Sequence, residues 1–371
     1  MSSARAEGML GFARPDREYQ ALRESIDDAV RRVLGSGRLI LGEEVVAFEH
    51  AFARAMGARF AVGVSNGTDA LVTALHALEV GEGDEVIVAA FGFVAAPEAV
   101  VRVGATPVFA DVEPLSLGLS PSAVRAAVSE RTRAIVSVDL FGIAHDTSAL
   151  RAPGIAIVED AAQALGTTRD GRRAGTLGEI GTFSFFPSKA LGAAGDGGAC
   201  VTDDEQLAAR MARIRLHGGT NAYNWDRRGG NYRLDALQAA VLSAKLTVLP
   251  ARLARRRAIG EELAAVARRG GASPICAPTC EPIYAPLALR IEGRRDQVLA
   301  RLRADGVDAR VHYPVALSTC RPFSHYPRRP RDAEFPEAER ATRELLSVPF
   351  HPELTDDEVS DLLEKLGLAL R

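Results

Sequence analysis

Short apolar strands alternate with helical segments along most of this chain, and that alternation is the strongest constraint on its fold. Strands are predicted at residues 60–64, 85–89, 107–111, 133–138 and 155–160, with helical spacing of apolar residues between them. Because strands this apolar need cover on both faces, they are typical of a mostly parallel sheet wound by helices. The sequence therefore predicts an α/β fold whose ligands lie beyond the carboxyl ends of the strands.

The length of the chain and its changing composition indicate more than one domain. Its 371 residues exceed the roughly 250–300 at which a single core stops growing. One long helix is predicted at about 234–267, and the prolines that follow Gly270-Gly271 mark the passage into a smaller α/β part. We predict an N-terminal helical segment at 1–35, a large ligand-binding domain at 36–248 and a small C-terminal domain at 249–371.

Composition argues against several classes of function. The net charge of −3 provides no basic surface for nucleic acid or for an anionic membrane. The chain starts without an apolar signal region, and no segment reaches the roughly 18 apolar residues of a membrane span, so a cytoplasmic protein is expected. Four scattered cysteines suit no disulfide framework, and Cys276 and Cys280 lack a second ligand pair, so no metal is predicted.

Lysine is rare in this chain, which makes each lysine informative. Only Lys189, Lys245 and Lys365 stand among 45 basic residues. A guanidinium cannot form a Schiff base, whereas a primary amine can. Lys245 and Lys365 lie in arginine-rich helical segments and are predicted to be solvated surface residues. Lys189 lies between a predicted aromatic strand at 180–186 and a glycine-rich loop, so it is either a reactive amine or a turn lysine.

Other candidate residues lie where predicted strands end. Gly67-Thr68-Asp69 begins a helix, where free N–H groups and a hydroxyl suit a phosphate, although Thr68 could also merely cap the helix. Asp160 ends a buried strand and needs a cationic partner, for which a protonated ring nitrogen or an arginine would serve. Phe93 could stack on a planar ring or belong to the core, and Ser184 could reach the same phosphate or satisfy its own strand. One ligand explains all of these features, namely pyridoxal 5′-phosphate.

The order of the motifs resembles the DegT/DnrJ/EryC1/StrS family of sugar aminotransferases nearly from end to end. The segments that carry the resemblance are Gly67-Thr68-Asp69-Ala70-Leu71, Phe91-Gly92-Phe93, Glu159-Asp160-Ala161-Ala162-Gln163, Phe183-Ser184-Phe185-Phe186-Pro187-Ser188-Lys189, Asn231-Tyr232-Arg233-Leu234 and His312-Tyr313-Pro314. The resemblance implies fold-type I of the pyridoxal-phosphate enzymes, with a large domain and a smaller C-terminal α/β domain.

The resemblance also implies roles for individual residues in binding the cofactor. Lys189 would form the Schiff base, Asp160 would bind the pyridine nitrogen, and Gln163 would approach the phenolic oxygen. Phe93 falls at the stacking position. The phosphate would be held by the Gly67-Thr68-Asp69 helix start and Ser184, and by Asn231 from the neighbouring subunit. A homodimer with shared active sites is thus implied.

The substrates that the resemblance implies are an amino donor, expected to be glutamate, and a nucleotide-linked 3-keto or 4-keto deoxyhexose in amino-sugar biosynthesis. Candidate residues for the sugar nucleotide are Arg215, His217, Arg233, His312 and Tyr313. The sequence departs from the family pattern at Gly92 and at Ala316-Leu317-Ser318, and both sites could bear on the sugar pocket. Two alternatives stay open: an aminotransferase or dehydratase for a cyclitol or carbocyclic ketone, and a non-catalytic regulator with the same fold.

Overall fold

The structure is a computed structural model that describes residues 9–221, 224–328 and 334–371. The α-helices are α1 (Pro15–Ser36), α2 (Glu43–Met56), α3 (Gly67–Ala77), α4 (Ala95–Arg102), α5 (Pro121–Ala127), α6 (Glu205–Ile214), α7 (Ala236–Leu246), α8 (Leu249–Arg269), α9 (Arg295–Ala304), α10 (Pro336–Glu344) and α11 (Asp356–Ala369). The longer strands are β1 (Phe60–Val64), β2 (Glu85–Ala89), β3 (Thr106–Ala110), β4 (Thr132–Val138), β5 (Ala156–Asp160), β8 (Ile180–Ser184), β9 (Gly198–Thr202), β14 (Leu287–Arg290) and β15 (Leu345–Val348). The shorter strands are β6 (Thr168–Arg169), β7 (Arg172–Arg173), β10 (Gly219–Asn221), β11 (Asn224–Trp225), β12 (Ser273–Pro274) and β13 (Cys280–Glu281).

A seven-stranded sheet forms the centre of the molecule, in the order β1-β9-β8-β5-β4-β2-β3. Strands β3, β2, β4, β5 and β8 run parallel to one another, whereas β9 is antiparallel to both β8 and β1. All five residues of β2 and of β9 are buried, as apolar strands covered on both faces require. The predicted α/β fold with a mostly parallel sheet is confirmed.

The prediction of one long helix at 234–267 is wrong, because two helices occupy this part of the chain. Helix α7 ends at Leu246, and α8 begins at Leu249 with Pro250 in its first turn. Proline lacks the N–H that a continuing helix would need, but it fits a first turn, where that N–H has no partner. Continuous apolar spacing on both sides of the break hides it in the sequence.

The C-terminal part of the chain packs around its own apolar cluster. Strands β12, β14 and β15 form an antiparallel sheet, and α8, α9 and α11 contribute buried residues to the same cluster. Leu10 joins it from the N-terminal side, since its N–H donates to the Gly306 carbonyl at 2.9 Å. The boundaries at residues 35 and 248 stay predictions. Across the described ranges, no helix combines the length and the apolar character that crossing a membrane needs.

Lys245 is not the solvated surface residue that its arginine-rich surroundings predict. It is 5% exposed, and its Nζ donates to Glu18 Oε2 at 2.9 Å and to the Gly192 carbonyl at 2.7 Å. Arg252 contacts the same Glu18 carboxylate. Burial, the main cause, lowers the pKa of Lys245 to about 8. A compact ammonium on a thin stem suits this site better than a planar guanidinium. Lys365, by contrast, is partly exposed on α11 and pairs with Asp361 at 2.6 Å.

Candidate functional site

The candidate site lies at the edge of the sheet where β5 and β8 end. Asp160 is the last residue of β5 and pairs in register with Thr182 of β8, two residues before that strand ends at Ser184. Residues 185–197 then form the loop that carries Lys189. Because parallel strands end on the same side, the predicted acid and the predicted amine emerge at one edge of the sheet.

Asp160 is a buried acid whose charged form is disfavoured by burial. It is 9% exposed, and its Oδ1 accepts a hydrogen bond from Ala162 N at 3.0 Å. Burial raises the pKa of Asp160, while this hydrogen bond and the nearby Lys189 amine act in the opposite direction. A positively charged ligand group would therefore be bound favourably beside this carboxylate.

Lys189 faces Asp160 from a tightly folded loop. Its backbone N–H donates to the Phe186 carbonyl at 2.8 Å. A side chain at Gly192 would place a Cβ only 2.5 Å from the Pro187 carbonyl oxygen, so this turn requires glycine. Burial is the largest effect on the pKa of Lys189 and lowers it, Asp160 raises it, and Arg256 lowers it further. The loop thus presents an amine whose neutral form is favoured by burial.

The start of helix α3 provides a cradle for an anion next to Ser184. Asn66 Oδ1 accepts from Asp69 N at 2.8 Å, and the Asn66 carbonyl accepts from Ala70 N at 3.0 Å. Within the described ranges the N–H groups of Gly67 and Thr68 have no hydrogen-bond partner, as expected at a helix start. A Cβ on Gly67 would lie 2.7 Å from Ser184 Cβ, so only glycine allows this approach. The donors and the space fit a phosphate.

Asp69 serves the helix start rather than the cradle itself. Its carboxylate accepts from Ser65 Oγ at 2.6 Å and from Asn66 Nδ2 at 2.7 Å, and it lies 3.3 Å from Arg102. These contacts engage both carboxylate oxygens, and the predicted contact of Asp69 with the cofactor stays a prediction. The acid stabilises the positive end of the helix dipole and fixes the turn.

Aromatic and amide groups line the side of the site next to Asp160. Gln163 Oε1 accepts from Phe141 N at 2.7 Å, which turns its Nε2 towards the Tyr313 hydroxyl, 3.5 Å away. Tyr313 is stacked on Phe141 with an angle of 16° between the rings, and its ring centroid lies 6.1 Å from that of Phe93. Burial raises the pKa of Tyr313 to about 12. Phe93 is 52% exposed, so its ring is free to stack on a ligand.

His312 joins the site as a neutral imidazole. Its Nδ1 lies 3.0 Å from Ser347 Oγ, and its ring contacts Phe12 with centroids 5.6 Å apart. Burial, the largest cause, and the positive charges of Arg310 and Lys189 lower the pKa of His312 to about 4. Sequence reasoning did not identify Phe12, Phe141 or Ser347, because nothing in their local sequence marks them as neighbours of this site.

Arg215 is not available for a substrate diphosphate. It is 9% exposed, contacts the Glu49 carboxylate, and donates to the Gly63 carbonyl at 2.8 Å. Its guanidinium therefore ties α2, β1 and the end of α6 together, and the predicted substrate contact is replaced by a structural one. A buried arginine in this setting stabilises the fold through hydrogen bonds to groups that would otherwise be unpaired.

The remaining predicted residues lie outside the immediate surroundings of Lys189. Asn231 is exposed and forms a β-bridge with Leu216, and Arg233 forms one with Val64 of β1. His217 is exposed beside Trp225, in an open pocket lined by basic and aromatic side chains. Their roles in binding stay predictions.

Comparison with known proteins identifies a family model and similar enzymes. The model described as the DegT/DnrJ/EryC1/StrS aminotransferase family matches residues 20–367. UDP-2-acetamido-2-deoxy-3-oxo-D-glucuronate aminotransferase of Pseudomonas aeruginosa is 37% identical over 351 residues, covering 93% of this chain and 96% of the relative. The dTDP-3-amino-3,4,6-trideoxy-alpha-D-glucose transaminase of Streptomyces venezuelae is 40% identical over 360 residues, covering 95% and 94%.

A solved structure shares the fold. The Bacillus subtilis protein ntda, solved with bound cofactor PMP, superposes with a TM-score of 0.87 at 26% sequence identity. The match covers 100% of this chain and 87% of the other.

Proposed function

Since the chain belongs to the DegT/DnrJ/EryC1/StrS aminotransferase family, we propose that it transfers an amino group from an amino acid to a nucleotide-linked keto-deoxy sugar, with pyridoxal 5′-phosphate as cofactor. The observation that carries this proposal is the meeting of Lys189 and Asp160 beside the start of α3. The amine and the acid are close enough for each to shift the pKa of the other. The start of α3 at Gly67 lies against Ser184, the last residue of the strand that leads into the Lys189 loop.

Different residues of the site would bind different parts of the cofactor. The N–H groups of Gly67 and Thr68 and the hydroxyl of Ser184 hold the phosphate. Asp160 would hold a proton on the ring nitrogen, since its carboxylate needs a positive partner in a buried place. Gln163 would approach the phenolic oxygen of the ring, and Phe93 would cover one of its faces. When bound, the ring withdraws electrons from the carbon attached to the transferred amine.

Lys189 binds the cofactor through its aldehyde carbon and later moves the proton. After displacement by the amino donor, the free Lys189 amine would take the proton from Cα of the donor and pass it to the cofactor. In the second half of the reaction the Lys189 amine would take a proton back from the aminated cofactor and deliver it to the sugar carbon that receives the amine. Burial favours the neutral amine, which is the form that both attacks the aldehyde and accepts the proton.

The acceptor is proposed to be a sugar linked to UDP or dTDP and oxidised at C3. The names of both reported relatives place their oxo or amino group at this carbon. Glutamate is the proposed donor. His312 and Tyr313 lie within the site and are proposed to contact the sugar, and His217 and Arg233 the nucleotide part.

A substrate panel tests the proposed function. Glutamate alone is expected to convert the visible absorption of the bound cofactor to that of its aminated form. UDP-linked and dTDP-linked 3-keto sugars should then restore it, with 4-keto sugars reacting more slowly. Product mass and NMR identify the aminated carbon.

Other results would point to other functions. Amination of a cyclitol or carbocyclic ketone in place of all nucleotide sugars would replace the proposed substrate. Bound cofactor without turnover of any amino donor would instead favour a regulator that retains the fold.

We further propose a homodimer in which each site is completed by the partner subunit. Asn231 is exposed on the single chain, so its side chain is accessible to a partner subunit. A twofold arrangement would then place two shared sites in each dimer.

Subunit mixing tests the shared site. Lys189→Ala and Asn231→Ala subunits are each expected to be impaired alone. When they are refolded together, mixed dimers collect both changes in one site and leave the other site intact. About a quarter of the wild-type activity should return. A mixture no more active than the average of its two components would contradict the shared site.

A further inference from the structure

A small polar cavity adjoins Lys189 on the side of helices α1 and α8. Its volume is about 20 Å³, room for roughly one water molecule, and its wall includes Lys189, Glu18, Arg252, Arg256, His351 and Glu353. The cavity therefore brings charged groups from the N-terminal helix, α8 and the segment before α11 close to the proposed catalytic amine.

Most of the charges around this cavity are balanced in pairs. Glu18 is paired with Lys245 at 2.9 Å and with Arg252, and Arg252 also contacts Glu353. His351 Nδ1 lies 3.2 Å from Glu353 Oε2. These pairs contain about as much negative as positive charge, so their net effect on Lys189 is small.

Arg14, which also lines the cavity, is likewise balanced, because it pairs with Asp16 at 2.6 Å.

Arg256 is the exception among these cations. It is 7% exposed and forms no close ion pair within the described part of the chain, although the Glu353 carboxylate on the wall of the same cavity attracts its charge from a distance. Its Nε donates to the Tyr284 carbonyl at 3.2 Å, and its guanidinium lies 4.9 Å from the centroid of the Phe350 ring. A carbonyl and an aromatic face hold the group in place without cancelling its charge. Burying a cation without a close carboxylate lowers the stability of the fold. Its position on the same cavity as the Lys189 amine therefore suggests a functional role.

The other titratable groups that face Lys189 do not replace this charge. Asp160 acts with the opposite sign. His312 is neutral near pH 7, because its pKa is about 4. Tyr313 is neutral as well, because its pKa is about 12. Among the described residues, Arg256 is thus the one cation outside a close ion pair that acts on the amine, with an effect smaller than those of burial and of Asp160.

We propose that Arg256 is a positioning residue whose charge, held on the wall of the cavity that adjoins Lys189, favours the neutral form of that amine, in which it can attack the cofactor and accept a proton. This inference rests on the proposed function, because it assigns Arg256 a purpose through the catalytic role of Lys189. Arg256 itself touches neither cofactor nor substrate. Its effect is exerted through space, since like charges disfavour protonation of a neighbouring amine.

The scarcity of lysine makes a direct test practical. Protein labelled at lysine Cε with ¹³C contains only three such carbons, and Lys189→Ala identifies the resonance of Lys189. Its shift is followed against pH in cofactor-free protein. In Arg256→Met the midpoint should rise by about one pH unit relative to the wild type. Arg256→Lys, which keeps the charge, should stay within about 0.3 of a unit.

Arg257 provides a matched control on the same helix. It also donates to backbone carbonyls, those of Pro282 and Gly166, but it does not line the cavity. Arg257→Met should leave the midpoint of Lys189 unchanged. Arg256→Gln, which keeps a hydrogen-bond donor, is prepared in parallel in case the methionine variant fails to fold, and the same rise is expected.

An unchanged midpoint in the Arg256 variants, or an equal rise in Arg257→Met, would overturn the inference. A failure of the proposed function would look different. Wild-type protein would then develop no visible absorption with pyridoxal phosphate, whereas the lysine resonance would still report the effect of Arg256.

Discussion

Replacing Lys189 with alanine is expected to abolish transamination and covalent binding of the cofactor. The change removes the nucleophile and the proton carrier together, so turnover should fall by at least about ten-thousandfold. Wild-type protein reduced with borohydride in the presence of pyridoxal phosphate should carry the cofactor on Lys189. Peptide mass then assigns the site without ambiguity, because only two other lysines exist in the chain.

Lys365→Ala is the control for this experiment. Lys365 lies on α11, partly exposed and paired with Asp361, so its loss should leave both activity and labelling at wild-type levels. A Lys189→Ala protein that still acquired the visible absorption band, or still aminated a sugar, would remove the basis of the proposed mechanism.

Asp160→Asn is expected to slow turnover by about a hundredfold to a thousandfold, with the cofactor still attached to Lys189. The amide cannot hold a positive charge on the ring nitrogen, so the stabilisation that a preorganised charge provides in the transition state is lost, about 3–4 kcal/mol. Turnover and the absorption spectrum of the bound cofactor are measured together. Asp160→Glu, which keeps a carboxylate, should recover part of the activity. Full activity in Asp160→Asn would exclude the proposed contact.

Although Asp160→Asn should lower turnover, it should raise the stability of the cofactor-free protein at pH 8. Burial raises the pKa of Asp160 in the folded protein above its value in the unfolded chain. The folded protein therefore favours the protonated form of Asp160. The free energy of unfolding falls as the pH rises through the pKa that Asp160 has in the folded protein. Cofactor-free Asp160→Asn should be more stable than wild type at pH 8, and the difference should shrink towards pH 4. Urea unfolding at several pH values checks this, and a less stable variant at pH 8 would contradict it.

Several features of the site were predictable because they depend on local sequence. The Gly67-Thr68 helix start and the glycine-rich loop after Lys189 follow from backbone requirements that few residue types meet. Asp160 was recognisable as an acid that closes an apolar strand. The rarity of lysine distinguished Lys189, but the same reasoning failed for Lys245, because a helical arginine-rich sequence does not reveal which face is buried.

Other features depended on contacts between distant segments. Arg215 and Arg256 are two among many arginines. Their neighbours in the sequence do not indicate that Arg215 pairs with a carboxylate whereas Arg256 forms no close ion pair. Their surroundings come from Glu49 and Gly63 in one case, and from Tyr284 and Phe350 in the other. Phe141 and Ser347 likewise acquire their roles from the side chains they meet.

By itself, the sequence determined the α/β fold, and it indicated the strand ends at the proposed site together with the proposed amine and acid. These depend on apolar periodicity and on the chemistry of single residues, both of which can be read locally. The tertiary structure alone decided which charges are paired, which lysine is buried, and which arginine faces the amine. Charge interactions depend on distance and burial, and both are set by packing between segments far apart in the chain.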